Sequence, residues 1–233
     1  MDRRSFAALA AIAFAAPAAP ALAATAKPPT SWDNLVLVNS KKLQAVYLLP
    51  GADFRQYTKV QLDPADVAFA KDWQRNQNST AVGLSRRITD EDAQKIAEQV
   101  RTGFDDIFAK AYTDAGYPVV TAPAHDVLRV RTGVANLTID APDTGSIGRS
   151  RSYSVQAGGA TLILEVRDSL SGAVLGRAID SRAAGDQFAS MRTSVSNRAD
   201  FSRLFKSWAN ASTNGLATLK ELSPISADGT PSK

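Results

Sequence analysis

Three carboxylates crowd one short stretch of the chain, with Glu165 and Asp168 on one side of a Ser169-Leu170-Ser171-Gly172 turn and Asp180 on the other. Brought together, two such groups can act as the acid and base of a glycosidic hydrolysis or bind a hard cation. Arg167, Arg177 and Arg182 are interleaved with them. Opposite charges facing one another across two strands are the ordinary outcome of that pattern, and Asp168 is placed to serve the turn. His125 is the single histidine, which excludes an imidazole-rich metal site. It adjoins Asp126, but neighbours in a strand point to opposite faces, so a surface or capping role is expected. The chain contains no Gly-x-Ser-x-Gly elbow, Gly-Lys phosphate loop, His-Glu-x-x-His or dinucleotide fingerprint. No catalytic, cofactor-binding or metal-ligating residue is therefore assigned, and no cofactor is expected. Trp32, Trp73 and Trp208 are the tryptophans on which a ligand groove would draw, although Trp208 falls on a helical apolar stripe and reads as core.

The elements that must hold these groups follow from periodicity. Residues 161–167 alternate, with Leu162, Leu164 and Val166 on one face and Glu165 and Arg167 on the other; residues 173–180 answer them across the turn as a hairpin. Upstream, 43–49 and 59–63 read as strands, ended by Pro50-Gly51 and Asp63-Pro64. Residues 67–73 read as extended and 75–85 as polar. Thr89-Asp90-Glu91-Asp92 opens a helix with a capping box and acids in the first turn. Ala93, Ile96, Ala97, Val100, Phe104, Ile107, Phe108 and Ala111 then recur at spacings of three and four, until Gly116 and Pro118 stop the helix. Residues 117–121 read as a strand and 127–139 as a longer one, with a change of phase that predicts a bulge near Thr132-Gly133. Residues 141–159 are rich in Gly, Ser and Arg and read as a long loop or poorly paired edge. From about Asn197, apolar residues from Phe201 to Leu219 form a second amphipathic stripe, weakened at its centre by residues 210–215. This order predicts an α+β domain, a mostly antiparallel sheet with two amphipathic helices packed on one face. Its expected limits are 41–222, preceded by a flexible lead at 24–40 and followed by a disordered tail at 223–233.

Residues 1–23 have the three parts of a cleavable export signal: Arg3 and Arg4, an apolar middle from Ala7 to about Ala19, and small residues Ala21 and Ala23 at the exit. The adjacent arginines with Phe6 two positions on are twin-arginine-like. The apolar run is shorter than the roughly 20 residues that span a bilayer, and Pro17 and Pro20 interrupt it. A periplasmic mature chain, soluble and without a transmembrane segment, is expected. With Cys 0, disulfides, thiolate metal sites and a lipid-modified cysteine are excluded. The net charge is +4, and losing Asp2, Arg3 and Arg4 leaves about +3. That is too mild and too dispersed for a nucleic-acid reader, so no nucleic-acid partner is expected. The arginine-rich half beyond Arg149 allows a weak contact with an anionic surface.

At Ala45-Val-Tyr-Leu-Leu-Pro-Gly-Ala-Asp-Phe-Arg-Gln-Tyr57, at Val60-Gln-Leu-Asp-Pro64 with Val67-Ala-Phe69, at Leu128-Arg-Val-Arg131 and through the hairpin from Leu164 to Leu175 with Asp180-Ser-Arg182, the chain resembles the bacterial DUF3313 family, a domain of unknown function. The resemblance covers nearly all of the expected mature chain. It implies no activity and no catalytic residues. Members are usually described as lipoproteins, whereas this chain lacks the cysteine that would carry the lipid. The resulting expectation is a non-catalytic binding or accessory component of the cell envelope, its partner an envelope protein or ligand. The alternative is a carboxylate-dependent hydrolase of envelope or cell-wall material, working through Glu165 and Asp180.

Overall fold

The computed structural model describes residues 28–80, 87–140, 152–154, 157–185, 190–192 and 194–226. Its strands are β1 (Ser31–Trp32), β2 (Leu35–Val38), β3 (Ala45–Leu48), β4 (Lys59–Leu62), β5 (Asp66–Phe69), β6 (Val127–Ile139), β7 (Ser152–Ser154), β8 (Gly158–Asp168), β9 (Val174–Ala184) and β10 (Ser190–Arg192). Its helices are α1 (Trp73–Thr80), α2 (Asp90–Asp114) and α3 (Ser194–Leu222). The main sheet runs β1-β2-β3-β9-β8-β6, and β4 and β5 both pair with the far edge of β6. All neighbours are antiparallel except β4 and β5, which lie parallel to β6. β7 and β10 form a separate antiparallel pair. The fold is α+β, as the order of elements predicts. Among the described residues no helix is long and apolar enough to cross a membrane.

The alternation of β8 decides where the core lies. Ala160, Leu162, Leu164 and Val166 are buried on one face, and α2 and α3 cover that face with their own stripes. The α2 cap is the predicted box: Thr89 Oγ1 accepts from Asp92 N at 3.1 Å, and Asp92 Oδ2 accepts from Thr89 N at 3.0 Å. Ile96, Phe104, Phe108 and Tyr112 are the buried residues of α2, and Phe104 meets Phe205 of α3 edge to face at 5.1 Å. At about 2 kcal/mol for each buried large side chain, that stripe contributes on the order of 8 kcal/mol before ordering entropy is subtracted. α3 runs unbroken through residues 210–215, where Thr213 is itself buried.

One polar group sits inside this layer. Asp180, opposite Leu162 in the hairpin, is 5% exposed. Its Oδ2 accepts from Trp208 Nε1 at 2.7 Å and faces Arg182 Nε at 2.5 Å, while Oδ1 accepts from Gln44 N at 2.9 Å. The carboxylate thus ties the sheet to α3 and to the approach of β3.

Several boundaries differ from the sequence reading, each for a local reason. Part of the expected lead belongs to the sheet: Leu35 pairs with Trp32 of β1 and Leu37 with Tyr47 of β3, and Tyr47 OH donates to Pro29 O at 3.1 Å. The expected tail begins with packed residues. Ile225 is 4% exposed because its backbone satisfies the turn after β3, with Ile225 N donating to Ala52 O at 2.9 Å and Gly51 N donating to Ile225 O at 2.7 Å. Residues 67–73 are not one extended run. β5 ends at Phe69, Asp72 takes a left-handed φ of 65°, and Trp73 starts α1, stacked on Phe69 at 4.1 Å with its Nε1 donating to Ile139 O at 3.1 Å. Residues 117–121 make a single bridge, Val60 to Val119, because Pro118 has no N–H for a ladder. The irregularity of β6 falls between Ala135 and Thr138, where Asn136 adopts φ 49°, a conformation asparagine tolerates better than most. Of the expected loop 141–159, residues 152–154 form β7 and Gly158 and Gly159 already belong to β8; the signal residues Arg3, Arg4, Phe6, Ala21 and Ala23 lie outside the described residues.

Gly158 is required where it stands. Its φ is +139°, and a Cβ there would lie 1.9 Å from Thr138 O. Gly158→Ala is expected to cost more than about 2 kcal/mol in chemical denaturation, since backbone must move. Asp180→Ala should cost about 2–3 kcal/mol by leaving the buried Trp208 indole N–H and Gln44 N without their acceptor, with Asp180→Asn recovering part of the loss.

Candidate functional site

Strand parity sorts the charged residues of the hairpin onto two faces. Glu165 stands opposite Arg177, and Leu162 opposite Asp180. Because side chains alternate along a strand, Glu165 belongs to the face away from the helices and Asp180 to the face beneath them. The two carboxylates that the hydrolase reading pairs are therefore separated by the sheet itself. Asp180 is occupied as described. His125 is exposed in the loop before β6, while its neighbour Asp126 is held by Thr58 Oγ1 and Lys59 Nζ, each at 2.9 Å. Asp168 serves the turn, as expected: Oδ1 accepts from Ser171 N and Ser171 Oγ at 2.7 Å, and Oδ2 accepts from Tyr57 OH at 3.0 Å. Among the described residues, no group of three or more His, Cys, Asp or Glu could hold a metal ion.

The face away from the helices carries the remaining chemistry. β6 places Arg129 and Arg131 on it, β8 Glu165 and Arg167, β9 Arg177 and β3 Tyr47, which pairs with Arg177. Glu165 is the hub. Its Oε1 accepts from Arg167 Nε at 2.6 Å and its Oε2 from Arg177 Nε at 2.8 Å. Burial works to raise the pKa of Glu165, but these two hydrogen bonds and the charges behind them outweigh it and hold the carboxyl below its ordinary value. Arg167 is fixed further by donating from Nη1 to Gly172 O at 2.9 Å. Arg177 is 8% exposed, donates from Nη1 to Asp33, and lies 4.6 Å from the centroid of the Trp32 ring. Trp32 in turn meets Tyr47 edge to face at 5.7 Å. A cation so enclosed persists only because carboxylates and a π-face compensate its desolvation.

Along the same face, Asp63 accepts from Arg129 Nε at 2.9 Å and lies 3.3 Å from Arg131 Nε. Four guanidinium groups and three carboxylates make up this surface. Its most open guanidinium is Arg129, whose side chain is 43% exposed, against 28% for Arg167 and 26% for Arg131. The cross-strand pairing of Glu165 with Arg177 was legible in the sequence. The roles of Trp32, Asp33 and Asp63 were not; the Asp33-Asn34 turn pair before the alternating Leu35 and Leu37 is the signal that would have found the first two. Of the tryptophans, Trp73 and Trp208 are core, and Trp32 alone belongs to this face.

Comparison with solved structures finds distant likenesses. PelC from Paraburkholderia phytofirmans, described as a dodecamer, matches at 13% identity over 70% of this chain and 95% of its own, with a TM-score of 0.35. A DUF4136 family protein from Bacteroides thetaiotaomicron matches at 13% identity over 81% and 98%, with a TM-score of 0.33. A minor lipoprotein from Acinetobacter baumannii matches at 9% over 68% and 94%, with a TM-score of 0.28. At this level nothing passes from those proteins to this one. Comparison with curated proteins finds no match. The family described as a protein of unknown function, DUF3313, matches residues 30–212, which span β1 to β10 and most of α3, and the chain belongs to that family.

Proposed function

We propose that this protein is exported to the periplasm and works there by binding, as a non-catalytic accessory component of the cell envelope, with the arginine-bearing sheet face as its contact surface. The observation that carries the reading is the Glu165 hub. It fixes the part-exposed Arg167 beside the enclosed Arg177, and Asp63 likewise holds Arg129, so the open guanidinium groups of this face have little rotamer freedom left to lose. Every hydrogen bond of this network organises cations, and none aims a carboxylate at a shared point where a substrate bond would lie. The partner that fits is a surface bearing carboxylates or phosphates, since planar guanidinium groups recognise those groups in pairs. Export rests on residues 1–23, whose charged start, short apolar middle and Ala21-Leu22-Ala23 exit suit a removable signal.

A photo-reactive amino acid at position 129 should cross-link the mature protein to a discrete envelope partner in cells, and the same residue at position 91, on the exposed side of α2, should not. Equal labelling from both positions would remove the sheet face from the proposal. Arg129→Glu should weaken capture about tenfold at low salt, with the difference shrinking as salt screens the contact. Cell fractionation of an Arg3→Lys, Arg4→Lys variant should show unprocessed chain in the cytoplasm. Normal processing of that variant would reassign the route, and a wild-type chain retained unprocessed in the cytoplasm would end the periplasmic reading.

A further inference from the structure

The far edge of β6 is covered by two strands with a gap between them. β4 pairs with Val127 to Val130 and β5 begins at Gly133, so Arg131 and Thr132 face only the crossover Asp63-Pro64-Ala65. α2 stands over that gap, anchored by Asp105, whose Oδ1 accepts from Ala65 N at 3.0 Å. Between helix and crossover lies a hollow of about 250 Å³, lined by the apolar side chains of Leu62, Phe108, Val119 and Val130 and by the carboxylates of Asp63, Asp105 and Asp106. Phe108 and Val130 are buried and form the floor. Val119, at 40% exposed, is one of two large hydrophobic side chains left open to solvent among the described residues.

We propose that this notch binds an ammonium group carried on a short hydrocarbon stem. The notch shares one residue with the arginine-bearing face, Asp63, whose carboxylate is engaged by Arg129 and Arg131; Asp105 and Asp106 belong to α2 and take no part in that network. An apolar trough ending in carboxylates matches a ligand with a hydrocarbon body and a cationic head. The volume corresponds to roughly eight water-sized units, which accommodates a six-carbon amine and little more. Among the described residues, neither Asp105 nor Asp106 has a cation within ion-pair distance. The nearest arginine on α2, Arg101, is held by Glu98 at 2.5 Å. Burial pushes the Asp105 carboxyl above its ordinary value, and an ammonium seated beside it would offset that desolvation.

The test is an amide-resolved NMR titration of the mature protein with hexylammonium chloride, with hexanol and hexanoate as controls. Saturable shifts should centre on Asp105, Val119 and Thr132, and hexanoate should give none. Asp105→Asn keeps an acceptor for the Ala65 N–H and should weaken hexylammonium binding about tenfold. Ala109→Leu, which fills the trough from α2, should abolish it while the spectrum stays dispersed. A parallel titration with acetyl-lysine methylamide separates the sources. Binding of that compound would mark a lysine of a polypeptide as the natural occupant, and binding of hexylammonium alone would mark a free amine. Absence of saturable shifts with both amines, equal binding of hexanol, or an unchanged affinity in Asp105→Asn would overturn the proposal.

Discussion

The pairing of Glu165 with Arg177 in the β8–β9 ladder fixes everything else about this molecule. With that register, Leu162, Leu164 and Val166 turn toward α2 and α3, and Glu165 and Arg167 turn away. A slip by a single residue would send every apolar side chain of β8 to the opposite face and bring the carboxylate hub under the helices. Two features guard against that slip. Asp180 finds its indole and backbone donors only in the native register, and Gly158 alone can occupy the close approach to Thr138 at the far end of the strand.

The same ladder explains why the chemistry suggested by a one-dimensional reading divides in space. Along the chain, Glu165, Asp168 and Asp180 look like neighbours in search of a common task. Folded, one anchors arginines on an open face, one closes a turn, and one is buried beneath α3. Parity rather than distance is the discriminating quantity. Residues facing one another across a hairpin share a side only when their separation from a paired position is even.

Where the apolar period was long, the sequence sufficed. β6, β8, β9 and the body of α2 lie where alternation or helical spacing placed them, and the capping box of Thr89 and Asp92 marks its helix in both. The short elements were obscured for identifiable reasons. α1 is polar along most of its length and is held by Trp73 and by hydrogen bonds from Gln74, Gln77 and Asn78 to the backbone of Ile88 and Ile139, contacts that no local propensity reports. β1 and β2 follow a proline-bearing stretch and gain their order from Tyr47 and Arg177, residues far along the chain or across the sheet. The candidate surface was half legible. Cross-strand Glu165 and Arg177 follow from hairpin register, but Asp33 and Asp63 reach the same face through tertiary folding and leave no periodic trace. The notch between β4 and β5 is a product of two strands sharing one edge, which no local pattern encodes.

The contact between Ile225 and the turn after β3 has a consequence for how the fold can arise. β3 has only β2 beside it until β9 exists, and Gly51 N and Ala52 O gain their partners only when residue 225 arrives. Phe54 N likewise donates to the hydroxyl of Ser223. An early segment is thus stitched to residues 223–225, and closing so wide a loop carries an entropic penalty that must be met before the reward is gained. Elongation from the amino end therefore leaves this part of the sheet waiting on an unfinished clasp. The turn after β3 is closed only once residues 223–225 are in place.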